Sequence, residues 1–324
     1  MDRWGSGLLQ AAAMPLPLDL ERAAPPLVPS SQAADAPVPV VLIGAGRWGT
    51  LHASKLAAMP GARLVAAVDL VPERARALAA AHPGCAALTD LRAISSLPTP
   101  PVAAVAAVPI GALATVAHDL LAAGLHVLVE KPGAASVAEL RPLIALARQL
   151  RRVLVVGFVE RFNPGVTPLC SGRRLVIRRM GPGRPGAAPL HLDWLVHDLD
   201  LARLLLGPGL RVERVTARRG PAAELRVHLS HPEGREALLH VVRGDVSPTR
   251  RLSLDGRRVS LLVRPPAPDP LTEQALAFFR AVRGGEAPRL AGADAALETL
   301  RLAEEVAMLA RMASTETASL RAAG

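Results

Sequence analysis

The spacing of apolar positions changes near residue 157, and this change predicts two domains of different architecture. From Val38 onward, short apolar runs alternate with segments whose apolar residues recur every three to four positions. Alternation of buried strands with amphipathic helices is typical of a doubly wound parallel sheet. The predicted strands are Val38–Ile43, Leu64–Val68, Val102–Val108, His126–Val129 and Val153–Val156, and the predicted helices are Trp48–Met59, Pro72–Ala81, Ala112–Ala123 and Ser136–Leu150.

Beyond Gly157, most strand-like segments alternate apolar with polar residues, which favours an antiparallel sheet with one wet face. A helix carrying Trp194 to Leu206 interrupts these strands, and two amphipathic helices, Leu271–Arg283 and Asp294–Ala313, follow a proline-rich break. The predicted strands are Leu175–Arg178, Arg211–Ala217, Glu224–Leu229, Ala237–Val242, Arg251–Leu254 and Arg258–Val263.

The fold class that follows is α/β, with an N-terminal Rossmann doubly wound parallel sheet and a C-terminal α+β domain with an open, mostly antiparallel sheet. We predict a Rossmann domain over residues 38–157 and a substrate-binding and oligomerisation domain with C-terminal helices over residues 158–324. Residues 1–37 are rich in Ala and Pro without periodicity, so we predict a disordered extension.

The amino-acid composition of the chain argues against several classes of function. Half of the residues are hydrophobic, but no apolar run approaches the ~20 residues that span a bilayer, and no secretory signal is visible. The two cysteines suggest neither a disulfide framework nor a metal site. The net charge of +10 is dispersed and only 2% of residues are aromatic, which argues against nucleic-acid binding. We therefore expect a cytoplasmic protein without a metal, a membrane or a nucleic-acid partner.

Residue usage is strongly biased, which makes the rare residues informative. The chain has no Tyr, a single Asn (Asn163) and two Lys (Lys55 and Lys131) among 38 basic residues, so Arg has replaced Lys almost everywhere. A rare residue that persists under such a bias is a candidate for a task that Arg, Ala or Leu cannot perform. Lys131 and Asn163 both fall within the motifs described next.

The glycine loop, Gly44–Gly49, has the sequence Gly-Ala-Gly-Arg-Trp-Gly. It lies between a predicted strand and a predicted helix, and Asp69 follows 20 residues later at the end of the next strand. This is the full context of a dinucleotide-binding motif, in which glycines let backbone amides approach a pyrophosphate at the helix N-terminus. An acidic residue at this point binds ribose hydroxyls and repels a 2′-phosphate, so we expect NAD in preference to NADP. The alternative is an ordinary glycine turn.

Two further motifs carry groups able to promote proton transfer. Glu130-Lys131-Pro132 ends the fourth predicted strand, and ligands of open α/β sheets bind at the carboxyl ends of strands. Asp193 and His197 share a face of the predicted helix, where the carboxylate would orient the imidazole as a general base. The alternatives are a solvated lysine, a helix-capping aspartate with a packed histidine, and metal ligands for which no third partner is evident.

A polar string, Gly157–Pro164, marks the predicted domain junction, where substrate pockets commonly form. Its residues Glu160, Arg161 and Asn163 are candidates for substrate binding, although the string alone indicates only polar residues at a junction. Arg161 could contact a diphosphate, but arginine is too abundant in this chain to be diagnostic.

Taken in order, the glycine loop with Asp69, Glu130-Lys131-Pro132 and Asp193-x-x-x-His197-Asp198 resemble the glucose–fructose oxidoreductase/inositol dehydrogenase (Gfo/Idh/MocA) family over about residues 38–310. The resemblance implies an active-site lysine at Lys131, a catalytic base at His197 and its partner at Asp193. It also implies a cofactor-bordering loop at Pro109, although Val108-Pro109-Ile110 departs from the common family pattern there. The candidate cofactor-binding residues are Gly44, Gly46, Arg47, Trp48, Gly49, Asp69, Pro109, Glu130 and Lys131.

The implied activity is NAD(P)-dependent oxidation of a secondary hydroxyl of a sugar or sugar nucleotide by a homo-oligomer that associates through the C-terminal sheet. Gly157–Pro164 followed by Asp193–Asp200 is most similar to members that oxidise the 3-hydroxyl of UDP-N-acetylglucosamine for lipid A synthesis. The candidate substrate-binding residues are Lys131, Glu160, Arg161, Asn163, Asp193 and His197. A dehydrogenase of a free sugar or inositol, and a dinucleotide-binding regulator without activity, remain alternatives.

Overall fold

The computed structural model describes residues 36–183, 187–218, 222–263 and 267–322. The chain divides into two compact units, Met1–Gly157 with Leu271–Ala293 and Phe158–Pro270 with Asp294–Gly324. The predicted disordered extension falls outside the described residues except for Ala36 and Pro37. In the described part of the chain, no helix has both the length and the apolar character needed to cross a membrane.

The described strands and α-helices are numbered in chain order. The strands are β1 (Val38–Ile43), β2 (Ala62–Val68), β3 (Ala86–Leu88), β4 (Ala103–Ala106), β5 (His126–Glu130), β6 (Leu154–Gly157), β7 (Arg174–Gly181), β8 (Arg211–Arg218), β9 (Ala223–Ser230), β10 (Glu236–Arg243), β11 (Thr249–Leu254) and β12 (Arg257–Ser260). The helices are α1 (Arg47–Ala57), α2 (Pro72–Ala80), α3 (Ile110–Ala122), α4 (Val137–Gln149), α5 (Val196–Leu206), α6 (Pro270–Val282) and α7 (Ala293–Ala322).

The first unit contains a six-stranded sheet in the order β3-β2-β1-β4-β5-β6, and each pair of neighbours is parallel. This is the strand order of the Rossmann fold, so the predicted doubly wound sheet is confirmed. The polar or charged residues that follow β2 and β5 therefore lie at the same carboxyl edge of the sheet. Ser136 caps the N-terminus of α4, because its Oγ accepts a hydrogen bond from the Glu139 amide at 3.2 Å.

Helix α6 belongs to the first unit, although the sequence predicts it as part of the second domain. Its residues Phe278 and Phe279 are at most 2% exposed and lie in the same apolar cluster as Val40, Leu42 and Leu128 of the parallel sheet. An amphipathic stripe identifies the buried face of a helix but not the sheet that it covers. Sequence order alone therefore placed this helix with the wrong neighbours.

The sheet of the second unit has the order β12-β11-β7-β10-β9-β8. Only the β7–β10 pair is parallel, so the predicted mostly antiparallel sheet is confirmed. Leu175 and Ile177 of β7 are buried, whereas Arg174 and Arg178 are exposed, as expected for a sheet with one wet face.

Four basic residues lie side by side across the exposed face of this sheet. In the strand register, Arg251 pairs with Arg178, Arg178 with His240, and His240 with Arg226. We call these four residues the basic row. The three arginines are exposed and His240 is half-buried. Glu224 contacts one end of the row, 2.7 Å from Arg226 and 2.9 Å from His240.

Candidate functional site

The glycine loop joins β1 to α1, and its three glycines meet different constraints. Gly44 has a positive φ of 92°, and a Cβ there would lie 2.4 Å from the Ala107 carbonyl oxygen. A Cβ on Gly49 would lie only 1.7 Å from the Gly44 carbonyl oxygen, so both positions exclude side chains. A Cβ on Gly46 would meet no atom within 4 Å, which leaves open space beside this backbone.

Helix α1 begins at the glycine loop without a side-chain cap. The amides of its first turn and the positive end of its dipole are therefore suited to an anion such as a pyrophosphate. Arg47 and Trp48 lie in this first turn, with the guanidinium 5.9 Å from the indole centre, and Trp48 is 42% exposed. The loop and the open space at Gly46 fit a dinucleotide, while contacts by Arg47 and Trp48 stay predictions.

The Asp69 carboxylate is hydrogen-bonded directly to the glycine loop. Its Oδ2 accepts from the Ala45 amide at 2.8 Å and its Oδ1 from the Val71 amide at 2.9 Å. Only 5% of the residue is exposed. Each carboxylate oxygen has a second lone pair, so the predicted contact with ribose hydroxyls is compatible with these bonds. Asp69 thus also supports the loop, a role that motif spacing did not indicate.

Glu130 and Lys131 lie where β5 ends, at the carboxyl edge of the parallel sheet. A tight turn follows, because the Gly133 amide donates to the Glu130 carbonyl at 3.0 Å and the Lys131–Pro132 peptide is cis. Lys131 is half-buried. Pro109, exposed at the start of α3, follows the neighbouring strand β4 and so belongs to the same edge. Cofactor contact by these residues stays a prediction.

His52 is a site residue that the sequence analysis missed. Its Nε2 lies 2.8 Å from Glu130 Oε1, and the Glu130 Oε2 accepts from the Lys131 amide at 3.2 Å. The His52 and Glu130 side chains are 2% and 11% exposed. A signal was available, because His52 follows the glycine loop on the apolar face of α1, where Ala53 and Leu56 are also buried.

In the second unit, His197 is half-buried on α5, and its ring lies almost perpendicular to that of Phe158, with 6.3 Å between the ring centres. The segment His191–Leu195 before it is a π-helix, not the start of a regular α-helix. Asp193 lies in this segment, so the four-residue spacing of an α-helix does not by itself align it with His197. Its Oδ2 lies 3.3 Å from Arg243 Nη1, which also donates to the Ala188 carbonyl at 2.8 Å.

The candidate substrate residues Glu160, Arg161 and Asn163 are at most 6% exposed, in and just after a 3₁₀ helix at Val159–Phe162. Arg161 Nε and Nη2 donate to the two oxygens of Asp200 at 2.7 and 2.5 Å. The Asn163 amide donates to Glu160 Oε2 at 2.9 Å. These contacts favour a structural role for the three residues, and substrate binding by them stays an untested prediction.

A second buried guanidinium completes this arrangement. Arg179 of β7 donates to Asp198 Oδ1 at 2.7 and 3.0 Å and to Glu160 Oε1 at 2.9 Å. Burial disfavours its charge, but the carboxylates of Asp198 and Glu160 raise the pKa of Arg179 above its ordinary value. Asp198 and Asp200 both follow His197 on α5, so two buried arginines anchor this helix within three residues of the candidate base.

Among the described residues, no group of three or more His, Cys, Asp or Glu side chains has the arrangement of a metal site. The carboxylates of Asp69, Glu130 and Asp193 accept hydrogen bonds from backbone amides or from an arginine. The first unit therefore carries a backbone site for an anion and a carboxylate that can accept from ribose hydroxyls. The second unit carries an imidazole on an anchored helix.

Residues 38–158 match the model of a family described as the oxidoreductase family, NAD-binding Rossmann fold. The matched range contains the glycine loop, Asp69 and Lys131. The prediction that the first unit binds a nicotinamide dinucleotide is thereby confirmed.

The chain is also similar, at modest sequence identity, to several curated proteins. UDP-N-acetylglucosamine 3-dehydrogenase of Acidithiobacillus ferrooxidans is 33% identical over 174 residues, covering 51% of this chain and 53% of the relative. Several relatives, this one included, are matched over only about half of their length. Inositol 2-dehydrogenase 2 of Paenarthrobacter aurescens is 27% identical over 326 residues, covering 83% of this chain and 94% of the relative.

The solved structure of UDP-N-acetylglucosamine 3-dehydrogenase from Acidithiobacillus ferrooxidans superposes with a TM-score of 0.77. The superposition covers 86% of this chain and 99% of that structure at 24% identity. At this identity the likeness shows a shared fold and nothing about the substrate.

Proposed function

We propose that this chain belongs to the Gfo/Idh/MocA oxidoreductase family and is an NAD-dependent dehydrogenase that oxidises a secondary hydroxyl of a sugar or sugar nucleotide. The observation that carries the proposal is the hydrogen bond from the Ala45 amide to Asp69, which joins the pyrophosphate cradle to the ribose acceptor. The remaining lone pairs of Asp69 can accept hydrogen bonds from ribose hydroxyls while the Ala45 and Val71 amides hold the carboxylate in place.

Binding and orientation of the cofactor are assigned to the first unit. The first-turn amides of α1 donate hydrogen bonds to the pyrophosphate beside the open backbone at Gly46, and Asp69 accepts hydrogen bonds from the ribose hydroxyls. A bound nicotinamide supplies the hydride acceptor. The Asp69 carboxylate would repel a 2′-phosphate, which favours NAD over NADP.

Proton transfer is assigned to His197. Its imidazole takes the proton of the reacting hydroxyl, a step for which a positioned base contributes about 10²–10⁴ in rate. Asp193 stabilises the cation that forms, and Lys131 stabilises the negative charge that develops on the substrate oxygen. Support comes from the anchoring of α5 at Asp198 and Asp200, just after His197, and from the position of Lys131 at the carboxyl edge of the sheet.

For the substrate, we favour the 3-hydroxyl of UDP-N-acetylglucosamine, in the synthesis of a lipid A precursor. The relative from Acidithiobacillus ferrooxidans, which carries that activity in its name, supports this choice at 33% identity. An inositol or free-sugar dehydrogenase is the second candidate, because an inositol 2-dehydrogenase aligns with this chain over 94% of its own length. The cytoplasmic location and the homo-oligomeric state stay predictions.

The test is absorbance at the wavelength of NADH after purified protein is mixed with NAD or NADP and a panel of substrates. The panel contains UDP-N-acetylglucosamine, other nucleotide sugars, free hexoses and inositol. Reduction of NAD with UDP-N-acetylglucosamine alone would support the favoured substrate, whereas reduction with inositol or a hexose would replace it. Tight NAD binding without reduction by any substrate would overturn the dehydrogenase proposal in favour of a dinucleotide-binding regulator.

A further inference from the structure

A buried histidine–carboxylate pair connects helix α1 to the end of β5. His52 Nε2 lies 2.8 Å from Glu130 Oε1, and the two side chains are 2% and 11% exposed. The other carboxylate oxygen, Glu130 Oε2, accepts from the main-chain amide of Lys131 at 3.2 Å. The Glu130 carboxylate therefore connects an imidazole on helix α1 with the backbone of the candidate active-site lysine.

We propose that His52 is a positioning residue that fixes the main chain of Lys131 through Glu130, an inference that rests on the proposed dehydrogenase function. A carboxylate is planar, so a hydrogen bond at one oxygen sets the direction in which the other oxygen points. With His52 bonded to Oε1, Oε2 is held toward the Lys131 amide. The main chain of Lys131 is then held in one orientation at the carboxyl edge of the sheet.

The surrounding backbone supports this role. A Cβ on Gly157 would lie 3.3 Å from Glu130 Oε1 and 3.4 Å from Glu130 Cα, so the end of the adjacent strand packs closely against the carboxylate and limits its movement on that side. The Gly133 amide donates to the Glu130 carbonyl at 3.0 Å and closes the turn beyond Lys131. Lys131 is thus held before its Cα by the Glu130 side chain and after it by this turn.

A purely structural role for the pair is less consistent with its chemistry. The buried face of α1 also carries Ala53 and Leu56, both at 0% exposure, which fasten the helix to the sheet without polar groups. Burying a charged or polar pair costs desolvation energy, and apolar replacements of such pairs are often neutral or stabilising. A leucine at position 52 would serve packing at least as well, so the histidine indicates a directional function.

The experiment compares His52→Leu, which removes the donor, with His52→Gln, whose amide can replace Nε2. The first readout is hydrogen exchange at the Lys131 amide in the NAD-free protein, which does not depend on turnover. We expect His52→Leu to raise this exchange by about tenfold, as for the loss of one charge-assisted hydrogen bond, and His52→Gln to stay within about threefold of wild type. Glu130→Ala, which removes the carboxylate, provides a second route to the same loss if His52→Leu does not fold.

Leu56→Ala is the matched control, because it loosens the packing of α1 without touching the Glu130 hydrogen bonds. It should lower stability while leaving the Lys131 exchange and kcat close to wild type. In turnover, His52→Leu should lower kcat by about tenfold with KM and NAD affinity within about threefold, and His52→Gln should restore kcat.

The outcomes separate this inference from the proposed function. Unchanged Lys131 exchange in both His52→Leu and Glu130→Ala would overturn the positioning role, and so would equal loosening in Leu56→Ala. Faster exchange together with an unchanged kcat in an active enzyme would also overturn it. A wild-type protein without dehydrogenase activity would refute the proposed function, while the exchange data would still decide whether His52 fixes the Lys131 backbone.

Discussion

The guanidinium of Arg161 donates two hydrogen bonds to the carboxylate of Asp200, at 2.7 Å from Nε and 2.5 Å from Nη2. The two side chains are 3% and 1% exposed, so neither charge is stabilised by water. The pair joins the 3₁₀ helix after β6 to α5, three residues beyond His197. Removing either side chain would leave the charge of the other buried without the counter-charge that this pair provides.

Asp200→Asn should lower the free energy of unfolding by about 3–5 kcal/mol, because it leaves a buried guanidinium without its counter-charge. Urea denaturation monitored by circular dichroism measures the change. The control is Glu73→Gln, which breaks an ion pair with Arg76 whose side chains are 74% and 68% exposed, and should cost less than about 1 kcal/mol. Equal effects of the two substitutions would contradict the structural role of Asp200.

Two glycines of the same loop should respond differently to alanine. Gly49→Ala places a Cβ 1.7 Å from the Gly44 carbonyl oxygen, so the loop must move, and both stability and NAD affinity should fall. Gly46→Ala meets no atom within 4 Å and has a φ of −76°, so stability should change by less than about 1 kcal/mol.

The methyl group of Gly46→Ala would still occupy the space through which the backbone approaches the pyrophosphate. We therefore expect its NAD affinity to fall by at least about tenfold, the equivalent of one lost charge-assisted hydrogen bond. Calorimetric titration with NAD and urea denaturation of both variants provide the comparison. Normal NAD affinity in Gly46→Ala would argue against pyrophosphate binding at this loop.

Lys131→Ala and His197→Ala should each lower kcat by at least about 100-fold, because each removes a group assigned to proton transfer or charge stabilisation. NAD affinity should stay close to wild type in His197→Ala, since the glycine loop and Asp69 are unchanged. Steady-state kinetics on the best substrate of the panel, with NAD titration alongside, tests both assignments. Near-normal turnover in either variant would remove that residue from the mechanism.

His126 should make stability depend on pH. Burial, followed by the charge of Arg152, lowers the pKa of His126 from 6.5 to about 4, and its Nδ1 accepts the Val153 amide at 3.0 Å. The unfolded chain binds the proton first, so this stability is present above about pH 6.5 and is lost as the pH falls toward 4. Urea denaturation across this range measures the slope.

The matched variant is His126→Asn, whose Oδ1 can accept the Val153 amide but does not titrate. Its free energy of unfolding should decline less steeply between pH 6.5 and pH 4 than that of wild type. Parallel declines would mean that other groups, not His126, cause the loss of stability in acid.

The parallel sheet was predictable because short apolar strands alternate with amphipathic helices, one of which ends just before Gly124. Strand β3 escaped prediction, since Ala86–Leu88 is only three residues long and is defined by its pairing with β2. The π-helix at His191–Leu195 could not be predicted either, because its sequence fits an α-helical period equally well.

Motif spacing located the glycine loop, Asp69 and Lys131, but not the partners of their side chains. Arg161 and Asn163 were singled out by rarity or by position at a junction, and both instead have buried intramolecular partners. Rarity of a residue type indicates that a side chain is needed, without distinguishing a ligand contact from a structural one. His52 was missed because its partner, Glu130, lies 78 residues away in the chain.

The basic row has a consequence for assembly. The resemblance implies self-association through the open sheet of the second unit, and two identical faces would bring Arg178, Arg251 and Arg226 toward their own copies. Counter-ions that screen these guanidinium groups should strengthen such contact, so sedimentation should show more oligomer at about 500 mM than at about 50 mM NaCl. Dissociation at high salt would contradict this expectation. If association does increase with salt, ionic strength controls the oligomeric state of this protein even at a fixed protein concentration.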